Sequence, residues 1–270
     1  MKQVLRKIFD TVTLPLFRQP LALKVLRQIV YQHKRAKRQV IEHHLRANGS
    51  YGDVVQRGPL AGLKYLPPER YASCRFEKII GAYEHEIYPW LTELAATRQY
   101  TTVLNVGAAE GFFTAGLARL FPKAKVLSYE STEEGRDYCR ELIKLNEVAD
   151  RVEIHGTCTL EEFAAVNPNS PTLLMMDIDL GERLLLDLDK VPWLRHADVL
   201  VETHDCLKEG TTRLIIDRFA HSHNIRQVTS AGLPYANYPI LRPLLFEDIQ
   251  AMVGDDRRGL QDWLLMQPKQ

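Results

Sequence analysis

Two stretches of this 270-residue chain hold the residue types and spacings that do chemistry. The first is Val103-Leu104-Asn105-Val106-Gly107-Ala108-Ala109-Glu110-Gly111-Phe112-Phe113-Thr114, an apolar run that ends in a glycine-bearing turn. Gly107 and Gly111 let the backbone turn tightly, and Ala108 and Ala109 are small enough for a ligand to approach it. Glu130 stands 23 residues after Gly107, closing the apolar run Val126-Leu127-Ser128-Tyr129. A carboxylate in that position accepts hydrogen bonds from the ribose hydroxyls of an adenosine. The second stretch gathers Asp177 and Asp179, then Glu202, His204 and Asp205. Carboxylates and an imidazole at two adjacent strand ends suit proton transfer or the ligation of a hard cation.

These residues require elements that bring them together. From residue 101, short β-rich runs alternate with helical stretches. Strands are predicted over Thr102–Val106, Lys125–Tyr129, Val152–His155, Thr172–Asp177, Val199–Thr203, Arg226–Thr229 and Asp262–Met266, with helices over 112–120, 132–147, 181–188 and 210–222. The alternation implies βαβ units, hence an α/β fold with a mostly parallel sheet covered on both faces. Ligands of such sheets bind at the carboxyl ends of the strands. A helix is predicted over 76–96, and the glycine- and proline-punctuated segment 47–70 reads as loops with a short hairpin. Ahead of it, apolar residues at helical spacing (Val4, Ile8, Leu14, Leu21, Val25, Ile29, Val40) alternate with Lys and Arg, and Pro15 and Pro20 are expected to break this arm into pieces. The expected organisation is a basic helical extension over 1–50, a lead-in over 51–100, and the α/β domain over 101–270.

A dinucleotide site uses a similar turn and acid, but wants a glycine immediately after Gly111, where Phe112 stands. The run from Val103 to Thr114 instead resembles the first motif of class I S-adenosylmethionine-dependent methyltransferases, most closely that of the FkbM-like group, whose members methylate hydroxyls on sugars and natural products. Gly81-Ala82-Tyr83-Glu84 is similar to a Gly-Thr-Tyr-Glu element of that group, and Asp177-Ile178-Asp179-Leu180-Gly181-Glu182 to its Asp-Val-Glu-Gly-Ala-Glu; Val201-Glu202-Thr203-His204-Asp205 also matches. Asn105 replaces the commoner acid, and Leu180 stands where the group usually has glycine. The resemblance implies a Rossmann-like seven-stranded sheet and S-adenosylmethionine as cofactor, held by Asn105, Gly107, Ala108, Ala109, Glu110, Gly111, Glu130 and Ser131. In that frame Thr157 and Cys158 line the adenine, Asp177 reaches the cofactor, and Tyr83 and Glu84 close over it or merely pack. The implied acceptor is a hydroxyl of a glycan or related small molecule. A fold that has lost catalysis and serves as a binding module is the alternative, with a nicotinamide-dependent oxidoreductase behind it.

A sulfonium methyl is already activated, so the protein mainly aligns donor and acceptor. An alcohol acceptor must also lose a proton. His204 is the candidate general base beside Asp177 and Glu202, an effect worth about 10² to 10⁴ in rate; a histidine that bridges the loop is the structural alternative. Asp177, Asp179 and Asp205 can instead hold Mg²⁺, which would lower the acceptor's pKa. Glu182 is read as a helix-start carboxylate favoured by the helix dipole. His43, His44, His221 and His223 are read as surface residues.

Composition sets the outer bounds. With 45% hydrophobic and 26% charged residues the chain is ordinary globular protein, and no apolar run is long enough to span a membrane. A cytoplasmic location is expected. Four cysteines without paired spacing are read as reduced thiols, mostly in the core. Residues 1–46 carry 11 Lys and Arg against two acids, while the remainder has 24 against 32. Such an arm fits an anionic membrane face or acidic partner, or packs on its own domain or on a second copy of the chain; no nucleic-acid partner is expected, because no recognised binding motif accompanies the charge.

Overall fold

A computed structural model of the protein describes residues 20–70, 73–166, 168, 171–230, 232–253 and 259–269. The expected break at Pro15 lies outside the described residues. The chain divides into two compact units, one formed by residues 53–234 with 255–270, the other by 1–52 with 235–254. Its helices are α1 (Pro20–Ala47), α2 (Arg75–Ile80), α3 (Tyr88–Thr97), α4 (Phe112–Leu120), α5 (Glu133–Leu145), α6 (Leu160–Ala165), α7 (Glu182–Leu185), α8 (Thr211–Phe219) and α9 (Phe246–Met252).

The larger unit is a seven-stranded mixed sheet with helices on both faces, the Rossmann-like arrangement expected. Its strands are β1 (Thr102–Val106), β2 (Lys125–Tyr129), β3 (Val152–His155), β4 (Thr172–Met176), β5 (Asp198–Thr203), β6 (His223–Thr229) and β7 (Asp262–Pro268), in the order β3-β2-β1-β4-β5-β7-β6. The first five run parallel, and β7 inserts antiparallel between β5 and β6. Central strands covered on both faces are buried along their length. Accordingly every residue of β4 and β5 is buried. The core on one side of the sheet is built from Leu104, Leu174, Val199 and Leu264 of the strands with Trp193, Ile215 and Phe219.

Differences from the sequence reading have local causes. The single helix expected over 76–96 is two helices: Gly81 ends α2 in the left-handed region (φ 70), and a 3₁₀ turn over His85–Ile87 leads into α3, whose first turn contains a proline. Proline lacks the amide that a continuing helix needs. The helix expected over 181–188 is the single turn α7, because Asp187 instead accepts the Asp189 amide in a local turn at 3.1 Å. β4 stops at Met176, leaving Asp177 beyond it. The hairpin expected within 47–70 is one antiparallel bridge, Val54 to Lys64. His223 is buried, not a surface residue: its ring contacts the Ala197 carbonyl at 3.2 Å and the Ser222 hydroxyl at 2.8 Å, because β6 starts three residues earlier than the apolar pattern suggested. All four cysteines are free, but only Cys139 is buried.

In the smaller unit, the described part of the arm is α1, which begins at Pro20, where proline's missing amide is unneeded. α1 packs on α9, with Lys37 3.2 Å from Glu247 and the Arg38 Nε donating to the Ala251 carbonyl at 3.2 Å. No described helix is long and apolar enough to cross a membrane.

Candidate active site

The turn after β1 is fixed from three sides. Gly107 has φ 91, and a Cβ there would fall 1.8 Å from the Asp177 carbonyl oxygen, so the end of β4 leaves room only for glycine. The Gly107 and Ala108 amides both donate to the Tyr129 carbonyl, at 3.0 and 2.9 Å, which ties the turn to the end of β2. Gly111, at φ 93, lies against Cys139 of α5. Below the turn, the Asn105 amide donates to Thr114 Oγ1 at 2.8 Å, and Thr114 bonds Ser128 at 2.8 Å. Asn105 therefore joins β1, α4 and β2 from beneath and supports the turn without lining it.

Glu130 closes the turn's outer side. Ala109, exposed and left-handed at φ 47, donates its amide to Glu130 Oε2 at 2.9 Å, while Glu130 Oε1 accepts from the Thr132 amide at 2.8 Å and hydroxyl at 2.7 Å. A carboxylate offers about four acceptor sites, so the group retains capacity for a hydroxyl. Ser131 contributes a carbonyl to Arg136 at 2.8 Å.

Glu110 turns inward. Its carboxylate accepts from the Tyr65 hydroxyl at 2.6 Å and pairs with Lys78 in a buried site, so the lead-in segment is anchored onto the turn. Lys78 Nζ also lies 4.7 Å from the ring centre of Tyr83, which packs edge-on against Phe112. Glu84, buried and left-handed at φ 51, accepts from Trp263 Nε1 of β7 at 2.8 Å. At the neighbouring strand ends, Tyr129 stacks on His155 with centroids 5.0 Å apart, Thr157 is exposed and Cys158 half-buried. Burial pushes the Cys158 thiol up to about 12, keeping it protonated.

Beyond β4 and β5 a histidine sits among acids. His204 Nδ1 is 2.9 Å from Glu182 Oε1, and its Nε2 lies 3.4 Å from Asp177, 3.7 Å from Asp179 and 3.7 Å from Glu202. Burial of the imidazole opposes its charge, but the Glu182 bond with the Asp177 and Asp179 charges outweighs it and raises the pKa above the ordinary value. Burial and then the Glu84 charge push the Asp177 carboxyl up to about 6. Asp179 and Leu180 both lie in the left-handed region, at φ 46 and 82. Leu180 thus adopts the conformation that favours glycine, with its strain held inside the site.

Two assignments change here. Asp205 accepts from the Gly210 amide at 2.8 Å and the Thr212 amide at 2.7 Å, and also from the Thr212 hydroxyl, fixing the start of α8. The expected cation set of Asp177, Asp179 and Asp205 is accordingly not assembled. Among the described residues the set with metal-like spacing is Asp177, Glu182 and His204, whose ligand atoms lie within 4.8 Å of one another. Glu182, read from sequence only as a helix-start carboxylate, is fully buried and is the orienting partner of His204.

No family model and no curated protein sequence matches the chain. Among solved structures, a putative O-methyltransferase from Klebsiella pneumoniae is similar at 14% identity and a TM-score of 0.48, covering 67% of this chain and 79% of its own. The O-methyltransferase TomG from Streptomyces achromogenes, involved in tomaymycin synthesis and solved with SAM, is similar at 14% identity and a TM-score of 0.45, over 86% of this chain and 89% of its own. An O-methyltransferase from Bacillus cereus in complex with SAH gives 12% identity and a TM-score of 0.46, over 86% and 91%.

Proposed function

We propose that this chain is a class I S-adenosylmethionine-dependent methyltransferase acting on a hydroxyl. The observation that carries the reading is the bond from the Ala109 amide to Glu130 Oε2, 2.9 Å long, which brings turn and spaced acid together at the carboxyl ends of β1 and β2. The rival dinucleotide reading expects the strand order 3-2-1-4-5-6 and a glycine after Gly111; here an antiparallel β7 separates β5 from β6, and Phe112 follows Gly111.

On this reading S-adenosylmethionine, held by the Gly107–Gly111 turn and Glu130, would supply an already activated methyl group, and His204 Nε2 would take up the proton that the acceptor hydroxyl gives up on methylation. Glu182 at Nδ1 supports the tautomer whose Nε2 lone pair accepts that proton. A glycan hydroxyl as acceptor, and membership of the FkbM-like group, rest on the sequence resemblance. Calorimetric titration tests the cofactor: micromolar binding of S-adenosylmethionine and none of NAD is expected, and the reverse result would reject the assignment.

A second reading of the acceptor chemistry is favoured by one observation, the convergence of Asp177, Glu182 and His204. These side chains would hold a divalent cation that acidifies the acceptor hydroxyl. An imidazole in the set suits Mn²⁺ or Zn²⁺ better than Mg²⁺, which prefers oxygen ligands throughout. Undiminished methyl transfer to a sugar panel after EDTA treatment would reject this reading and leave His204 as the base.

A further inference from the structure

α1 leaves an unusual surface. Seven of the thirteen exposed large apolar side chains among the described residues are on this one helix. With about 100° of rotation per residue, four of the seven, Leu21, Val25, Ile29 and Val40, fall with Ala36 within an arc of about 100° along five turns that also takes in Gln32, Gln39 and His43, while Leu23, Val30 and Tyr31 lie outside it. Leu21 is 74% exposed, Ile29 59% and Val40 71%. The contact with α9 uses the other side: Lys37, Arg38 and the buried Leu45 are centred roughly 160° away. The stripe is therefore not the seam along which the smaller unit holds itself together.

Charge indicates what covers it. Within Pro20–Ala47 there are seven Lys and Arg against the single acid Glu42. Lys24, Arg27, Lys34 and Arg35 are all exposed. Lys24 and Arg35 lie together along one edge of the stripe, roughly 90° to 110° from its centre, where a long side chain keeps its charge among headgroups while its stem lies along apolar surface. Arg27 and Lys34 lie on the polar face of a helix about 10 Å across, so they remain close to one Debye length from the surface on which it rests.

We infer that α1 is a membrane-surface anchor, lying in the plane of an anionic bilayer with Leu21, Val25, Ile29 and Val40 in the acyl boundary. The inference is independent of the methyl-transfer reading. The 270-residue chain, sedimented with phosphatidylcholine vesicles with and without about one third phosphatidylserine, should partition at least about tenfold more strongly into the anionic vesicles, and lose that advantage when salt is raised. Val25→Asp combined with Ile29→Asp should weaken partition about tenfold or more, and Lys24→Gln with Arg35→Gln should weaken it for anionic vesicles only. These positions are exposed, so unchanged circular dichroism and thermal midpoint are expected of both variants. Equal partition into neutral and anionic vesicles, no partition into either, or full partition by the Asp variant would overturn the inference. Concentration-dependent dimerisation lost in the Asp variant, without vesicle binding, would overturn it in favour of a second copy of the chain.

Discussion

The Ala109 amide donates to the Glu130 carboxylate across 2.9 Å, joining the ends of two neighbouring parallel strands. The same bond holds Ala109 in the left-handed region at φ 47, where an L-residue is disfavoured by about 1–2 kcal/mol. The turn is therefore preorganised by the group that would hold the ribose.

Glu130→Ala should lower S-adenosylmethionine affinity about 10- to 100-fold, the worth of a hydrogen bond to a charged group. Titration calorimetry reads this directly, and an unchanged affinity would show that the ribose binds elsewhere.

Ala109→Gly should raise stability by about 0.5–1 kcal/mol, because relief of the left-handed conformation exceeds the entropy that glycine adds to the unfolded chain. Gly107→Ala should cost about 3 kcal/mol or more, since its Cβ would fall 1.8 Å from the Asp177 carbonyl. Denaturant midpoints separate the two; comparable effects of one sign would contradict the turn geometry.

His204 should titrate above its ordinary value, and Glu182→Gln should bring that pKa down. NMR of the imidazole measures it without knowledge of the acceptor. If His204 is the base, the rise of activity with pH should move to lower pH in the variant while cofactor affinity holds.

Stability should fall as pH rises through this site's range. The folded Asp177 carboxyl titrates near 6, above its ordinary 3.8, so the native state retains a proton that the unfolded chain has lost. His204 is shifted the same way: its imidazolium contributes below the ordinary pKa, and that contribution disappears as pH passes the raised one. Calorimetric melting between about pH 4 and 8 should show a shallower decline in Asp177→Asn than in the parent.

Much of the fold was legible because strands covered on both faces read as largely apolar runs, and β1 and β2 fall where those runs predict them; the edge strand β3, only partly buried, also matches its predicted range. The turn and Glu130 were legible for a related reason, since glycine and a spaced acid leave a local signature. What sequence did not reveal depends on partners distant in the chain. Nothing near Glu110 announces Tyr65, 45 residues away, and nothing near Glu84 announces Trp263, 179 residues away. Asp205 and Glu182 exchanged their expected roles because a carboxylate beside a helix start can cap it or turn inward, and only packing decides which. Leu180 stands where the resembling group usually has glycine, and its φ of 82 lies in the left-handed region that favours glycine.

The strand that supplies Trp263 comes last in sequence yet sits inside the sheet, between β5 and β6. Until β7 is made, Glu84 lacks its indole donor and β5 has an open edge, while the turn after β1 needs only β1, β2 and β4. On the proposed function, β7 therefore completes the acceptor side only after the strands that shape the turn have been made.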